Sequence, residues 1–339
     1  MIADPLLEIR DLSVSFDTPT GRMAAVRGVS FELGISEIVA LVGESGSGKS
    51  STGLAIMGLL DKHEGVSVSG QILLTGKTGR RQDLAQLPER QMRMVRGSDV
   101  AMIFQEPLSS LNPIYTVGSQ ICEAIRIHRS VSLREARHDA LKALTALGVP
   151  NPIQSMARYP HQFSGGMRQR AMIAMALACH PALLIADEPT TSLDVTIQAQ
   201  IIDHLRRMQA STKMSILFIT HNLGLVAEIA DRVLVMYAGE IVESGPVQAV
   251  FQTPRMPYTQ ALLESLPRIG RTRRRGVRLE AIPGNVPSPV SLPAGCAFHP
   301  RCGHLAAGLC DVQAPPLENC AADHRVRCLR WRDIESVSP

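Results

Sequence analysis

Several features are scarce in this chain of 339 residues, and each scarcity excludes a class of protein. Long apolar runs are missing. The most apolar stretch, Ala171–Ala186, is broken by His180-Pro181 and falls short of the roughly 20 residues a membrane-spanning helix needs. A charge excess is missing too. Lys plus Arg is 35 and Asp plus Glu is 31, a net +4, too slight for a nucleic-acid partner, which calls for a basic stripe. The opening residues, MIADPLLEIRDLSV, lack a basic-then-apolar signal layout, so a cytosolic location is expected. At 45% hydrophobic and 19% charged, the chain is not disordered. It has neither the glycine period of a collagen nor the short, cysteine-dense build of a disulfide-stapled domain. No internal repeat is visible.

What is present has an alternating order. Ile9, Val14 and Phe16, then Val29, Phe31 and Leu33, predict two short strands. Glu37–Val42 is apolar almost throughout, as a strand buried on both faces would be. A Gly-rich loop and a helix to Leu60 follow, and residues 62–97 are polar and hard to place. Residues 106–180 read mainly helical, with a capping box at Ser132-Leu-Arg-Glu135 and a stop at Gly148. Strands return at Ala182–Ala186 and Ile216–Thr220, around a helix whose face carries Ile197, Ile201, Leu205 and Met208. Val233–Tyr237 and Glu240–Glu243 predict a terminal hairpin turning at Ala238-Gly239. The order gives an α/β fold. The expected division is a large domain over 1–250, with a helical subdomain at about 106–180, and an extension over 251–339. That extension begins with an Arg/Pro-rich linker carrying Arg268, Arg271, Arg273, Arg274, Arg275 and Arg278. The run reads as a solvated linker in preference to a contact with anionic lipid.

GESGSGKS, Gly43–Ser50, matches the phosphate-loop pattern G-x-x-x-x-G-K-[ST] in full, after a buried strand and at the start of a helix. Phosphates need convergent N–H donors, so the backbone must turn tightly without obstructing side chains. Gly43, Gly46 and Gly48 permit this, and Glu44, Ser45, Ser47 and Ser51 complete the loop and first turn. Lys49 is placed to reach the β/γ-phosphates, and Ser50 to ligate Mg²⁺. Asp187 and Glu188 end an apolar strand, where open α/β sheets bind ligands. Asp187 is expected to hold Mg²⁺ through water, and Glu188 to orient or deprotonate the attacking water.

FSGGMRQR, Phe163–Arg170, resembles the LSGGQ signature of ABC-type ATPases, with Phe163 in place of the usual Leu. The order of motifs is also theirs: phosphate loop, Gln105, signature, Asp187-Glu188, Thr191–Asp194 and His221. The resemblance covers the first 250 residues. It implies a P-loop NTPase with a RecA-like core, an antiparallel β lobe and a helical subdomain. Two ATPase subunits are then expected to close head to tail around two ATP molecules. Ser164, Gly165 and Gly166 of one would face the γ-phosphate held by the other. Gln105 would contact Mg²⁺ or the attacking water, His221 the γ-phosphate, and Asp194 would lie in the loop crossing the dimer interface. Phe16 matches the adenine-stacking position, with a strand-core role nearly as fitting. A DNA-repair ATPase of this class would carry a long coiled coil between loop and signature, and no sustained heptads occur there. Retention of Glu188, His221 and the signature argues against a non-hydrolysing subunit.

Phe251–Arg268 and Ile282–Cys302 resemble the C-terminal extension of oligopeptide, dipeptide and nickel importer ATPases, as do EPLSSLNP after Gln105 and RYPHQFSGGMRQR. The resemblance implies one of two ATPase subunits of a bacterial importer of di- and oligopeptides, peripheral to the cytoplasmic face of the inner membrane. It would pair with a paralogue, or with itself in isolation. It would dock on two permeases and depend on a periplasmic binding protein; nickel or glutathione are alternative cargoes. Five of the seven cysteines fall in this extension. In a reducing compartment such a cluster favours metal or redox chemistry. Four thiolates suit zinc or a 4Fe–4S cluster, and the absence of a C-x-x-C pair weakens a zinc ribbon. The resemblance assigns a 4Fe–4S cluster to Cys296, Cys302, Cys310 and Cys328, with Cys320 as an alternative ligand. His299, His304 and His324 keep a mixed zinc site open, and reduced structural thiols without a metal are the remaining reading.

Overall fold

The computed structural model describes residues 4–60, 65–105, 110–190, 194–265 and 282–335. In chain order it holds β1 (Leu7–Thr18), β2 (Gly21–Leu33), β3 (Ile38–Val42), α1 (Lys49–Ile56), β4 (Val66–Thr75), β5 (Arg81–Asp83), α2 (Glu89–Val95) and β6 (Val100–Ile103). Next come α3 (Val117–His128), α4 (Leu133–Ala146), α5 (Pro152–Ser155), α6 (Gly165–Leu177), β7 (Leu183–Asp187), α7 (Val195–Thr212) and β8 (Ser215–Thr220). The remainder is α8 (Leu223–Ile229), β9 (Arg232–Tyr237), β10 (Glu240–Pro246), α9 (Val247–Gln252), α10 (Pro257–Glu264), β11 (Glu318–Ala321) and β12 (His324–Val326). The chain divides into two compact units. One contains Met1–Glu8, Glu32–Glu37 and Leu73–Phe218; the other contains Ile9–Phe31, Ile38–Ile72 and Ile219–Pro339.

In the first unit β6 and β7 pair in parallel, Val100 opposite Leu183 through Ile103 opposite Ala186. Both strands are buried along their whole length, as their unbroken apolar sequences require. The helices bury residues four apart: Val117, Ile121 and Ile125 on α3, and Ala136, Ala140 and Leu144 on α4. The capping box starts α4. Ser132 Oγ accepts from the Glu135 N–H at 3.3 Å, and Glu135 Oε2 accepts from the Ser132 N–H at 2.8 Å. Gly148, at φ +64°, takes the left-handed position after the helix.

In the second unit β2, β1 and β4 lie side by side, and a second run of strands has the order β11-β12-β10-β9-β3. β3 runs parallel to β9, with Val39 opposite Arg232 and Val42 opposite Val235. The β9–β10 hairpin turns at Ala238 and Gly239, both with positive φ, the turn whose twist suits a two-residue loop. The hairpin does not end the sheet, contrary to the sequence reading. β12 pairs antiparallel with β10, Glu243 opposite Val326, and β11 pairs with β12. These two strands have four and three residues, too short for an alternating pattern to announce them. The linker arginines from Arg268 to Arg278 lie outside the described residues, as do Glu106–Ser109 and Thr191–Leu193.

A buried carboxylate ties the added strands down. Glu243 on β10 is fully buried and accepts from the backbone N–H groups of Arg255 at 2.6 Å and Met256 at 3.2 Å. His324 Nε2 on β12 lies 2.8 Å from the same Oε1 that Arg255 uses. One side chain thus joins the hairpin, the segment before α10 and β12.

Candidate nucleotide site

β3 delivers the chain into the phosphate loop of the second unit, and α1 carries it away. Gly43, Gly46 and Gly48 have φ of +153°, +79° and +104°. Two of them also lack room for a side chain. A Cβ on Gly43 would stand 2.1 Å from the Met236 carbonyl oxygen, and one on Gly48 2.2 Å from that of Ala25. The neighbouring strands therefore dictate glycine at both positions, and the loop's N–H groups are left unobstructed. Lys49 is buried, and its ammonium donates to the carbonyls of Gly43 at 2.8 Å and Glu44 at 2.9 Å and to Ser47 Oγ at 3.3 Å. Ser47 is buried, Ser50 and Ser51 are half-buried in the first turn of α1, and Ser45 is exposed.

Glu44 is held from two sides. Its N–H donates to Tyr258 Oη at 2.9 Å, and its carboxylate receives both terminal nitrogens of Arg301, at 2.7 and 3.1 Å. Burial pushes the Tyr258 phenol up, so it stays protonated. Phe298 packs edge-on to Tyr237, with Tyr258 tilted against both. Phe16, on β1, is half-buried, and His221 is exposed directly after β8.

The first unit carries the remaining residues. Asp187, only 4% exposed, closes β7, and Glu188 follows in the left-handed region at φ +46°. A non-glycine residue held there stores strain of about 1–3 kcal/mol, a common mark of a functional position. Gln105 Nε2 donates to Glu188 Oε2 at 3.3 Å, so two residues 83 positions apart in sequence meet. Ser164 caps α6, its hydroxyl accepting from Met167 N–H at 3.4 Å; Gly165 opens the helix and Gly166 follows. The helix start thus presents N–H groups and a positive dipole end. Asp194 caps α7 by accepting from Ile197 N–H at 3.0 Å. Sequence reasoning missed Gln169, buried in α6, whose Nε2 donates to the Pro189 carbonyl at 2.5 Å and braces the residue after Glu188. Its only sequence signal was its place inside the signature motif.

Cys296, Cys302, Cys310 and Cys328 line one cavity of about 20 Å³, together with His299 and His304. Burial raises the thiols of Cys296 and Cys302 and pushes that of Cys328 up to about 12, with the neighbouring cysteines adding to each rise. Cys320 is elsewhere: it lies on β11, and its Sγ contacts the His324 carbonyl at 3.3 Å. His324 is engaged with Glu243. Among the described residues, no three His, Cys, Asp or Glu side chains stand in a metal-ligating arrangement. No described helix is long and apolar enough to cross a membrane.

A family described as "ABC transporter" matches residues 26–191, and one described as "oligopeptide/dipeptide transporter, C-terminal region" matches residues 242–310. With full-length relatives at up to 53% identity, the chain belongs to the ATP-binding proteins of ABC transporters, and its activity is ATP hydrolysis. A Brucella melitensis protein provisionally named a peptide import ATP-binding protein is 53% identical, over 98% of this chain and 99% of its own length. The dipeptide transport ATP-binding proteins DppD of Bacillus subtilis and Escherichia coli are each 46% identical. They cover 96% and 95% of this chain, and 94% and 96% of their own lengths. Among solved structures, CbiO1 of a Clostridium perfringens ABC transporter complex is 25% identical with a TM-score of 0.59, over 73% of this chain and 91% of its own. A dimeric bacterial ABC transporter cassette, 24% identical with a TM-score of 0.63 over 71% and 98%, shares the fold.

Proposed function

We propose that this chain is the ATPase subunit of a bacterial importer of di- and oligopeptides, working on the cytoplasmic face of the inner membrane. The observation that carries the cargo is the reach of the likeness. Identity of 46% with dipeptide transport ATP-binding proteins runs through 95–96% of the chain, C-terminal region included. The ATPase domain in this reading is 1–250, its helical subdomain about 106–180, and the extension 251–339. A paralogue or a second copy completes the ATPase pair. Two permeases carry the solute, and a periplasmic binding protein delivers it.

The residue roles are those the family resemblance implies, and the chemistry of each group supports them. The Gly43–Ser51 backbone and Lys49 bind the phosphates, and Phe16 stacks on the base. Ser50, Gln105 and Asp187 would hold Mg²⁺, whose charge offsets that of the phosphates; a hydroxyl, an amide and a buried carboxylate are the oxygen donors this ion takes. Glu188 accepts the proton of the attacking water, with Gln105 beside it to orient that water. His221 binds the γ-phosphate. Ser164, Gly165 and Gly166 offer the N-terminus of α6 to the nucleotide of the partner subunit, and Asp194 faces that partner. ATP held by both subunits favours the closed pair, and hydrolysis releases it.

Glu188→Gln tests this reading. ATP binding is expected to persist while turnover of the assembled transporter falls roughly 100- to 10,000-fold. Equal hydrolysis by the variant removes Glu188 from its role. Uptake of a labelled dipeptide by cells with and without the gene tests the cargo, and uptake of nickel in its place would replace peptide.

The four-thiol cavity supports a bound metal group: a 4Fe–4S cluster by family resemblance, zinc as the alternative. Four soft donors on one cavity are the ligand type either takes, and metal binding would release the thiol protons. Among the described residues the thiols are not in a metal-ligating arrangement, so a bound ion or cluster requires them to rearrange. Iron, sulfide and zinc analysis after anaerobic purification decides between them, and a folded, metal-free protein removes both.

A further inference from the structure

The C-terminal region reaches into the phosphate loop. Arg301 lies in a helical turn, His299–Arg301, between Cys296 and Cys302, and its side chain is 4% exposed. A buried guanidinium needs its donors filled. Here Nε donates to the Pro283 carbonyl at 2.9 Å, and both terminal nitrogens go to the Glu44 carboxylate. The cation also stands 5.9 Å from the ring centre of Tyr237 and 6.0 Å from that of Phe298. A two-pronged pair of this kind fixes direction as well as distance, which a lysine could not do.

Glu44 is the second residue of the loop that takes the triphosphate. Its carboxylate is 27% exposed. Without a cation this charge would repel a ligand carrying several negative charges. Its backbone is fixed as well, since the Glu44 N–H is held by Tyr258 and the Glu44 carbonyl accepts from Lys49. The residue whose carboxylate Arg301 grips thus also carries the carbonyl that accepts from Lys49.

We propose that Arg301 is a positioning residue for ATP: it neutralises Glu44 and holds the phosphate loop in its binding arrangement, so the C-terminal region is part of the nucleotide site. The proposal rests on the reading of Gly43–Ser51 as the ATP loop. The nucleotide dissociation constant of the wild-type chain, measured with a fluorescent ATP analogue, tests that reading separately.

The test compares Arg301→Gln, Arg301→Lys, Glu44→Gln and the double variant Glu44→Gln/Arg301→Gln as full-length chains, with turnover measured in the assembled transporter. Arg301→Gln should raise the dissociation constant about tenfold, and KM with it, while kcat stays within about twofold. The double variant removes the charge and its counter-charge together, and should bind ATP within about threefold of wild type. Arg301→Lys should fall between, which keeps the test informative if the glutamine variant folds poorly. A merely structural arginine predicts another pattern: lower melting temperature, unchanged affinity in the folded fraction, and a double variant no better than the single. That pattern, or wild-type-like affinity in Arg301→Gln while the wild-type chain binds ATP, overturns the proposal.

Discussion

Replacing Glu243 with alanine should release β12 from the sheet. The carboxylate satisfies three donors at once: the N–H groups of Arg255 and Met256, and His324 Nε2. All belong to buried or half-buried groups, and the Glu243 side chain is itself fully buried. Removing one partner of a buried pair costs about 3–5 kcal/mol. Each donor left unmet costs about 1–3 kcal/mol, and relaxation prevents the costs from simply adding. A loss of about 4 kcal/mol is expected, or roughly a thousandfold in the local opening equilibrium. Glu243→Gln should cost about half as much. Its carbonyl can still serve Arg255 and His324, while its amide meets the Met256 N–H donor to donor. Hydrogen exchange read by mass spectrometry on peptides covering 240–246, 253–258 and 318–328 measures the change in all three segments. The expected order is wild type, then glutamine, then alanine, with the three segments losing protection together. Less than a threefold change in the alanine variant, or exchange rising in only one segment, would refute the idea that this side chain joins them.

Other outcomes follow from the same geometry. Gly48→Ala must place a Cβ 2.2 Å from the Ala25 carbonyl oxygen at φ +104°, so ATP affinity in a nucleotide titration should fall by two orders of magnitude or more, about 3 kcal/mol. On the proposal that the four-thiol cavity takes a metal, Cys302→Ser should lower the metal content of freshly purified protein, while Cys320→Ser, outside that cavity, should leave it unchanged. Ser132→Ala removes the cap of α4 and should destabilise its unit by about 1 kcal/mol in urea titration, with ATP affinity unaffected.

Local chemistry was legible in the sequence, and long-range pairing was not. The phosphate loop could be read because glycine spacing, a buried strand and a helix start fall within a dozen residues. The same holds for the α4 capping box, whose two halves are three residues apart. Gln105 and Glu188 could be named from motif order, but their hydrogen bond could not, because it depends on parallel pairing of β6 with β7. Arg301 and Glu44 lie 257 positions apart, and an arginine beside a cysteine motif carries no mark of its partner. Asp194 was expected only in the loop crossing the dimer interface, and its capping role carried no separate mark. The cap is visible, and it sets the side chain at the start of α7. The terminal hairpin was a reasonable reading of Val233–Glu243, and it was incomplete because three or four residues suffice for a strand once a neighbour offers an edge.

That edge has a consequence for the order in which the molecule is made. β10 is complete at Pro246, yet the strand that covers it begins at His324, roughly 80 residues later. At ribosomal rates of about 5–20 residues per second, the nascent chain shows an open strand edge for several seconds. Open edges recruit other chains. The emerging protein thus passes through an interval in which its nucleotide loop already exists while its sheet is still adhesive. Translation pauses between codons 246 and 326 should therefore lower soluble yield more than equal pauses placed earlier.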